Sequence, residues 1–585
     1  MDYKSKHHQV GPGDRTLTVP RHDGENVLPN LPIFDRLLRF AHRLPPRAAI
    51  RDLNAGVEKT YLQLLTDALA LRRALRESLS TETQRQLEED QEVFIALIAP
   101  GGYEYAVAFI AILALGAAVV PISQFSSHIY NAYTNTHAAT ALPVQEAKSL
   151  VLRAQCAAII SSDNATTLTK GVVEAIGANL PHLTISQHLQ PAPLDAHSIT
   201  VSSNPIPNMN SAALVIFTSG TTGPPKGAVQ RRSYILGAAE DVADQYRLTE
   251  FDTVQHLLPV HHATGIGVTF LPFLISGACI EFRSGSFDPA WTWERWSKGG
   301  LSVFSGVPTI YTRMMRYFES HIASLPPLQQ EPYIQGARKL RVLLCGTSAL
   351  PGPVQQFWTK ILDGKPILTR YGGTEFHAVL KADIDGSSPL NSVGRISPGV
   401  DLKLGVEGMV LVKGPHVFAK YLHDPAATAA AHDADGYFIT GDIARREGPN
   451  YFILGRASID IIKSGGYKLS ALDIEREILG LDYIGEVMVV GVDDDEYGQR
   501  VAAAVTLKDG RKTVSLDQLR TDLRGVLAGY KMPTVLRVLE GEIPKSGTGK
   551  VQKKILGPKY FPAGWRREDG IQVWDKGDRQ VRAKL

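Results

Sequence analysis

Residues 218–226 read Thr-Ser-Gly-Thr-Thr-Gly-Pro-Pro-Lys and follow an unbroken apolar run, 212–217. The hydroxyls of Thr218, Ser219, Thr221 and Thr222, the glycines Gly220 and Gly223, and Lys226 therefore leave what reads as a buried strand together. Glycines let backbone N–H groups approach a ligand closely, hydroxyls add donors, and an ammonium adds charge. That is a donor set for phosphate oxygens. A flexible surface turn would explain the glycines, but neither the lysine nor the strand before it. The pattern is not a Walker A loop, which ends Gly-Lys-Ser/Thr, because Lys226 lies between Pro225 and Gly227. A second glycine-rich stretch, 544–550, starts with Pro544 where the first glycine belongs and runs on from Lys550 into Val551. A P-loop mechanism with a metal-bound hydroxyl after the lysine is disfavoured.

The elements that position this loop alternate. Strand-like runs at 92–100, 157–162, 212–219, 278–282 and 340–346 are separated by stretches long enough for helices. This predicts an α/β fold: a large N-terminal domain of stacked, largely parallel sheets with helices. After Gly455 the pattern changes to a small α+β unit. Ser470 with Asp473, and Ser515 with Gln518, sit in capping-box register and predict helices over 470–478 and 515–530, flanking a strand at 485–492. The expected domains are 1–455, a mobile 456–556 and a polar tail 557–585. Two Pro-rich stretches, 188–211 and 324–336, read as surface connections.

The chain has 585 residues, 44% hydrophobic and 21% charged, with a net charge of +3, so nothing in the balance points to nucleic acid. Three scattered cysteines give neither a disulfide framework nor metal spacing. The uncharged stretch 105–122 contains Gly116 and Pro121. It predicts a buried helix to Leu115, a glycine stop and a buried strand, with no membrane span. The first residues lack a secretory or transit pattern. The final Ala583-Lys584-Leu585 is a variant of the Ser-Lys-Leu address, so an import receptor and a peroxisomal location are expected, with the cytoplasm otherwise.

Several motifs in order resemble the adenylate-forming superfamily, which includes acyl-CoA synthetases, adenylation domains and luciferases. They run from about Tyr61 to Lys554: the loop at 218–227, then 258–265 (LPVHHATG), 370–375 (RYGGTE), 436–442 (GYFITGD), 455–468 (GRASIDIIKSGGYK) and 544–550 (PKSGTGK). The resemblance implies ATP, Mg²⁺ and CoA as cofactor or co-substrates and a small carboxylic acid as the activated group. The acid attacks ATP to give an acyl-adenylate, and a thiol then displaces AMP. Because two anions meet, the site must supply cations and fixed donors.

The resemblance assigns Thr218–Lys226 to the outer phosphates, Tyr371 to adenine, Thr374 to the α-phosphate and Glu375 to Mg²⁺. Gly346, Thr347 and Ser348 line the adenine side. Asp442, expected in a turn after Gly441, takes the ribose with Arg456. Lys550 is the catalytic ammonium, carried in and withdrawn by a moving loop. Ser464, Gly465, Gly466 and Tyr467 pass the pantetheine arm of CoA. The usual hinge lies two places beyond Arg456, where Ser458 stands, with Asp460 slightly later. The nearest look is to malonate- and short-acid–CoA ligases, with His262, Thr264, Arg370 and Gly373 at the acid. Arg370 suits a second carboxylate. Gly373 stands where a larger residue is usual, which predicts a roomier pocket, and Thr264 stands in place of a second histidine. A larger acid and malonate both remain open. So do transfer to a carrier protein and a non-catalytic nucleotide-binding role.

Overall fold

The computed structural model describes residues 26–122, 143–177, 179–218, 225–347, 350–508, 510–545, 550–564 and 570–574. Ser219 to Gly223, Ser348 and the terminal Ala583-Lys584-Leu585 lie outside them.

The expected buried strands form. Phe94–Ile98, Ala118–Ile122 and Ala158–Ser161 are buried at every position. Strands covered on both faces read as continuous apolar runs, as parallel sheets require. They join Ala212–Thr218, Lys226–Arg231, Lys420–Tyr421 and His182–Thr184 in a seven-stranded sheet that is parallel through its centre. A nine-stranded sheet holds Leu368–Gly373, Val342–Cys345, Val303–Gly306 and Thr253–His256 as consecutive parallel neighbours. One core is shared by both sheets and the helices Pro32–Ala41, Tyr61–Ser78, Tyr103–Leu115 and Arg232–Gln245. Helix Tyr103–Leu115 is apolar nearly all round, so it is buried. It stops at Gly116, whose φ of +90° ends the helix without a Cβ penalty. Among the described residues no helix is long and apolar enough to cross a membrane.

A four-stranded antiparallel sheet, with strands Asp401–Leu404, Met409–Lys413, Phe438–Glu447 and Asn450–Arg456, completes the large domain. The small domain begins its own sheet at Ile461–Ser464. Its helix Ala471–Leu479 is capped as expected, the Ser470 side chain accepting from the Asp473 N–H.

Four expectations differ. Residues 324–336 are not a plain connection: Pro327–Lys339 is a helix, started by Pro327 at its first position and tolerating Pro332 inside. The helix expected over 515–530 ends at Asp522, before Gly525 at φ +93°. Asp442 sits within strand Phe438–Glu447 rather than in a turn, paired across to Arg456. The polar tail from 557 is no separate segment either. Helix Lys553–Tyr560 continues into it, and Ile571–Val573 adds a strand beside Val535–Val538. Leu556, Phe561 and Ile571 are buried against Met488, Ala502 and Val535. Apolar residues spaced widely in a polar stretch give no periodic signal, yet three of them close this face. Phe561→Ala is therefore expected to destabilise the small domain by roughly 3–5 kcal/mol, measured by urea unfolding, whereas a free tail residue would give no change.

Candidate active site

The two domains enclose a cleft of about 2700 Å³. That exceeds the roughly 300–1,000 Å³ of a single small-ligand pocket, so it has room for more than one substrate.

At one end, Thr218 and Lys226 face each other across an antiparallel hairpin, and the Thr218 hydroxyl donates to the Lys226 carbonyl at 3.3 Å. The ends of the expected phosphate loop are thus clamped together. The Lys226 ammonium lies 5.0 Å from the centre of the Tyr421 ring. The Tyr421 hydroxyl donates to Glu375 Oε1 at 2.9 Å, and burial first, then Glu375, pushes the phenol pKa up. Sequence reasoning missed Tyr421, which stands between the lysine and the carboxylate. Glu375 and Thr374 are held by their backbones: the Glu375 carbonyl accepts from the Phe418 N–H at 2.7 Å, and the Thr374 carbonyl from Gln230 Nε2 at 2.6 Å.

Tyr371 follows Arg370 on strand Leu368–Gly373, so their side chains leave by opposite faces. The Tyr371 hydroxyl donates to Asp442 Oδ2 at 2.7 Å, and Arg456 Nε lies 3.1 Å from Asp442 Oδ1. Burial raises the Asp442 pKa, opposed by Arg456, Tyr371 and Lys550. Thr347 holds φ +74°, sparsely populated for a residue with a Cβ, and its buried hydroxyl has no partner. Gly346 runs so close beneath Arg370 that a Cβ there would stand 3.2 Å from its Nε.

Arg370 enters the other end of the cleft. It is 8% exposed, its Nη2 reaches Ser305 Oγ at 3.4 Å, and its Nη1 has no hydrogen-bond partner among the described residues. The nearby Lys381 ammonium is already neutralised by Asp241. His262 is held neutral, its pKa lowered to about 4 by burial and then by the Lys550 charge. Thr264 precedes a π-helical stretch, Gly265–Phe270, where Gly265 is obligatory because a Cβ would fall 2.1 Å from the Pro259 carbonyl oxygen. The room expected at Gly373 is absent: a Cβ there would meet the Phe376 ring at 2.5 Å, so that ring fills the space. His377 was also missed. It is buried at φ +54°, with Nδ1 3.2 Å from the Tyr234 hydroxyl, and it too lines the cleft.

Lys550 reaches this cleft from the small domain. Burial lowers its pKa, Arg456 pushes the same way and Asp442 opposes. Ser464, Gly465, Gly466 and Tyr467 are not brought to the cleft. They form a hairpin whose two glycines take φ +56° and +81°, and Tyr467 stacks on Tyr530 at 4.5 Å. Next to them Lys468 pairs with Glu407 of the large domain. In this structure the small domain presents Lys550 to the cleft and leaves the 464–467 hairpin outside it.

Two outcomes follow. Tyr371→Phe removes the donor to Asp442 but keeps the ring, and the KM for ATP is expected to rise roughly tenfold in initial-rate assays. The cationic role that the resemblance gives Lys550, together with its lowered pKa, predicts that acid-dependent pyrophosphate release falls at a pH below that of an ordinary lysine titration. Lys550→Arg should move that alkaline limb upward.

The AMP-binding enzyme family matches residues 37–422, and the AMP-binding enzyme C-terminal domain matches 473–550. An acyl-CoA ligase of Aspergillus oryzae is 31% identical over 94% of this chain and 96% of its own length. The mitochondrial malonate–CoA ligase of Homo sapiens is 30% identical over 94% and 96%. A crystal structure of ATP-bound MatB from Rhodopseudomonas palustris superposes with a TM-score of 0.74 at 25% identity, covering 91% of this chain and 99% of that one. With the cleft, the domain pair and full-length relatives in agreement, this chain belongs to the AMP-binding enzyme family.

Proposed function

We propose that the protein is an ATP-dependent, AMP-forming acid–CoA ligase whose acid carries a second anionic group held by Arg370. The ligase activity accords with relatives of nearly equal length. The single observation behind the second anion is Arg370 itself. A buried guanidinium is costly unless paired, and here one nitrogen lacks any acceptor while Asp241 is committed to Lys381. A carboxylate on the substrate supplies the missing partner. Relatives named as malonate–CoA ligases fit that reading. Phe376 occupies the space beside Gly373, which removes the ground for a larger acid at that position.

In this reading the acid's reacting carboxylate oxygen bonds to the α-phosphorus of ATP and pyrophosphate leaves. Lys550 neutralises charge where the two anions meet, and neutral His262 lines the approach. The thiol of CoA then attacks the acyl carbon and AMP leaves. Mg²⁺ suits Glu375: among the described residues no three ligating side chains cluster, and one carboxylate completed by phosphate oxygens is the usual Mg²⁺ arrangement. The half-exposed Tyr467–Tyr530 pair beside the Gly465-Gly466 turn offers a surface for CoA once the small domain turns.

Pyrophosphate release is measured with malonate, methylmalonate, succinate and monocarboxylates of matching length, with and without CoA. Dicarboxylates are expected to be preferred, and Arg370→Met should cut that preference roughly 100-fold or more. Monocarboxylates favoured by the unsubstituted chain would remove the role given to Arg370. Acid-dependent release without any acyl-CoA would instead point to a carrier protein as thiol acceptor.

A further inference from the structure

Three residues beyond Lys550, the Lys553 side chain is buried at the edge of the cleft, 8% exposed, with its ammonium 2.6 Å from Asp460 Oδ1 and 2.8 Å from Glu475 Oε1. Glu475 Oε1 also accepts from the Val489 N–H at 2.7 Å, so the anchor is tied to strand Ile484–Asp494. Asp460 uses its other oxygen on the large domain's last strand, accepting from the Arg456 N–H at 3.0 Å. Its carbonyl accepts from the Ala471 N–H at 2.7 Å. Gly455, at φ +125°, makes this fit possible: a Cβ there would fall 2.4 Å from the Asp460 Cβ. The connection between the domains is thus tied at both ends. Ala457 N–H donates to the Gly441 carbonyl of the large domain, and Asp460 is fastened within the small one.

We propose that Lys553 is a positioning residue for adenylate formation: buried between Asp460 and Glu475, it pins the segment carrying Lys550 to the chain that joins the two domains. The segment has two further fastenings, a bridge between Lys545 and Val551 and a Lys545–Glu486 ion pair, so it leaves and rejoins the small domain at fixed points. Of the two ion-paired anchors, Lys553 lies nearer to Lys550 along the chain than Lys545 does. A cation among two carboxylates is worth keeping buried only while all three are present, since removing one leaves uncompensated charge. Within Asp460, one oxygen serves the Lys550 segment and the other serves the domain connection. Reaching the cleft is therefore coupled to how the domains meet.

The role separates the two half-reactions, because Lys550 serves adenylation and the thiol step uses the other face of the small domain. Lys553→Met, Lys553→Arg and Glu475→Gln are assayed for pyrophosphate release with the acid that the unsubstituted chain uses fastest. They are assayed separately for thioester formation from supplied acyl-adenylate and CoA. Lys553→Met is expected to lower the adenylation kcat at least tenfold, with the KM for ATP and the thioester rate within about twofold. Glu475→Gln should do the same more weakly, and Lys553→Arg should restore at least half the rate. Hydrogen exchange, which needs no acid, should show the amides of Val551 to Leu556 exchanging at least tenfold faster in Lys553→Met, with those of Phe94 to Ile98 unchanged. Equal loss of both half-reactions, an arginine variant no better than methionine, or exchange unchanged at 551–556 would each overturn the proposal. If Lys553→Met does not fold, the same comparison in Glu475→Gln decides it.

Discussion

The cleft depends on the pleat of one strand. Leu368–Gly373 sends Arg370 to one side and Tyr371 to the other because successive side chains alternate. One side receives Asp442 and Arg456, which suit a sugar hydroxyl pair, and the other holds the Arg370 guanidinium against Ser305 and Gly346. A one-residue slip would exchange these environments, putting a cation among the ribose ligands and a phenol at the acid. Register is held by the next strand, His377–Lys381, and Gly372 permits that pairing: a Cβ there would stand 2.0 Å from the His377 carbonyl oxygen. The hairpin then turns Thr374 and Glu375 toward the phosphate loop.

The second constraint is how the small domain meets the large one. The Lys550 charge comes close enough to Asp442 and His262 to act on both. This arrangement is held across the domains by modest contacts. Arg316 Nη2 donates to the Gly485 carbonyl at 3.0 Å while its Nη1 lies 3.8 Å from Glu542 Oε1, and Lys468 meets Glu407. Lys468 and Glu407 are about half exposed, and such surface pairs contribute roughly 0–1 kcal/mol. Contacts this weak define a pose without locking it. Within the small domain the opposite holds, where the buried Lys553–Asp460–Glu475 group fastens the Lys550 segment.

Where the sequence misled, a distant neighbour was responsible. Residues 324–336 carry three prolines and read as a connection, yet packing of Gly336 against the Trp296 backbone, at 2.2 Å for an added Cβ, makes a helix the close-packed solution. Gly373 suggested space, but Phe376 folds back over it. The polar end of the chain hid three apolar residues that complete the small core. Asp442 looked like a turn residue beside Gly441, and only pairing with Arg456 shows it on a strand.

What the sequence determined by itself is a set of motifs and their order: a hydroxyl-rich loop, an aromatic and a carboxylate four residues apart at Tyr371 and Glu375, an aspartate after a glycine at Asp442, and a lysine in a glycine-rich segment. These are legible because each depends on residue types adjacent in the chain and on the backbone freedom of glycine. The buried strands, the glycine stop at Gly116 and the capped helix after Ser470 are local in the same sense. Only the tertiary structure decided that Arg370 Nη1 lacks an acceptor among the described residues, that the space at Gly373 is filled, that Tyr421 links Lys226 to Glu375, and that Lys553 is buried between two carboxylates. Burial and charge neutralisation are set by groups tens to hundreds of residues away, so no local pattern encodes them.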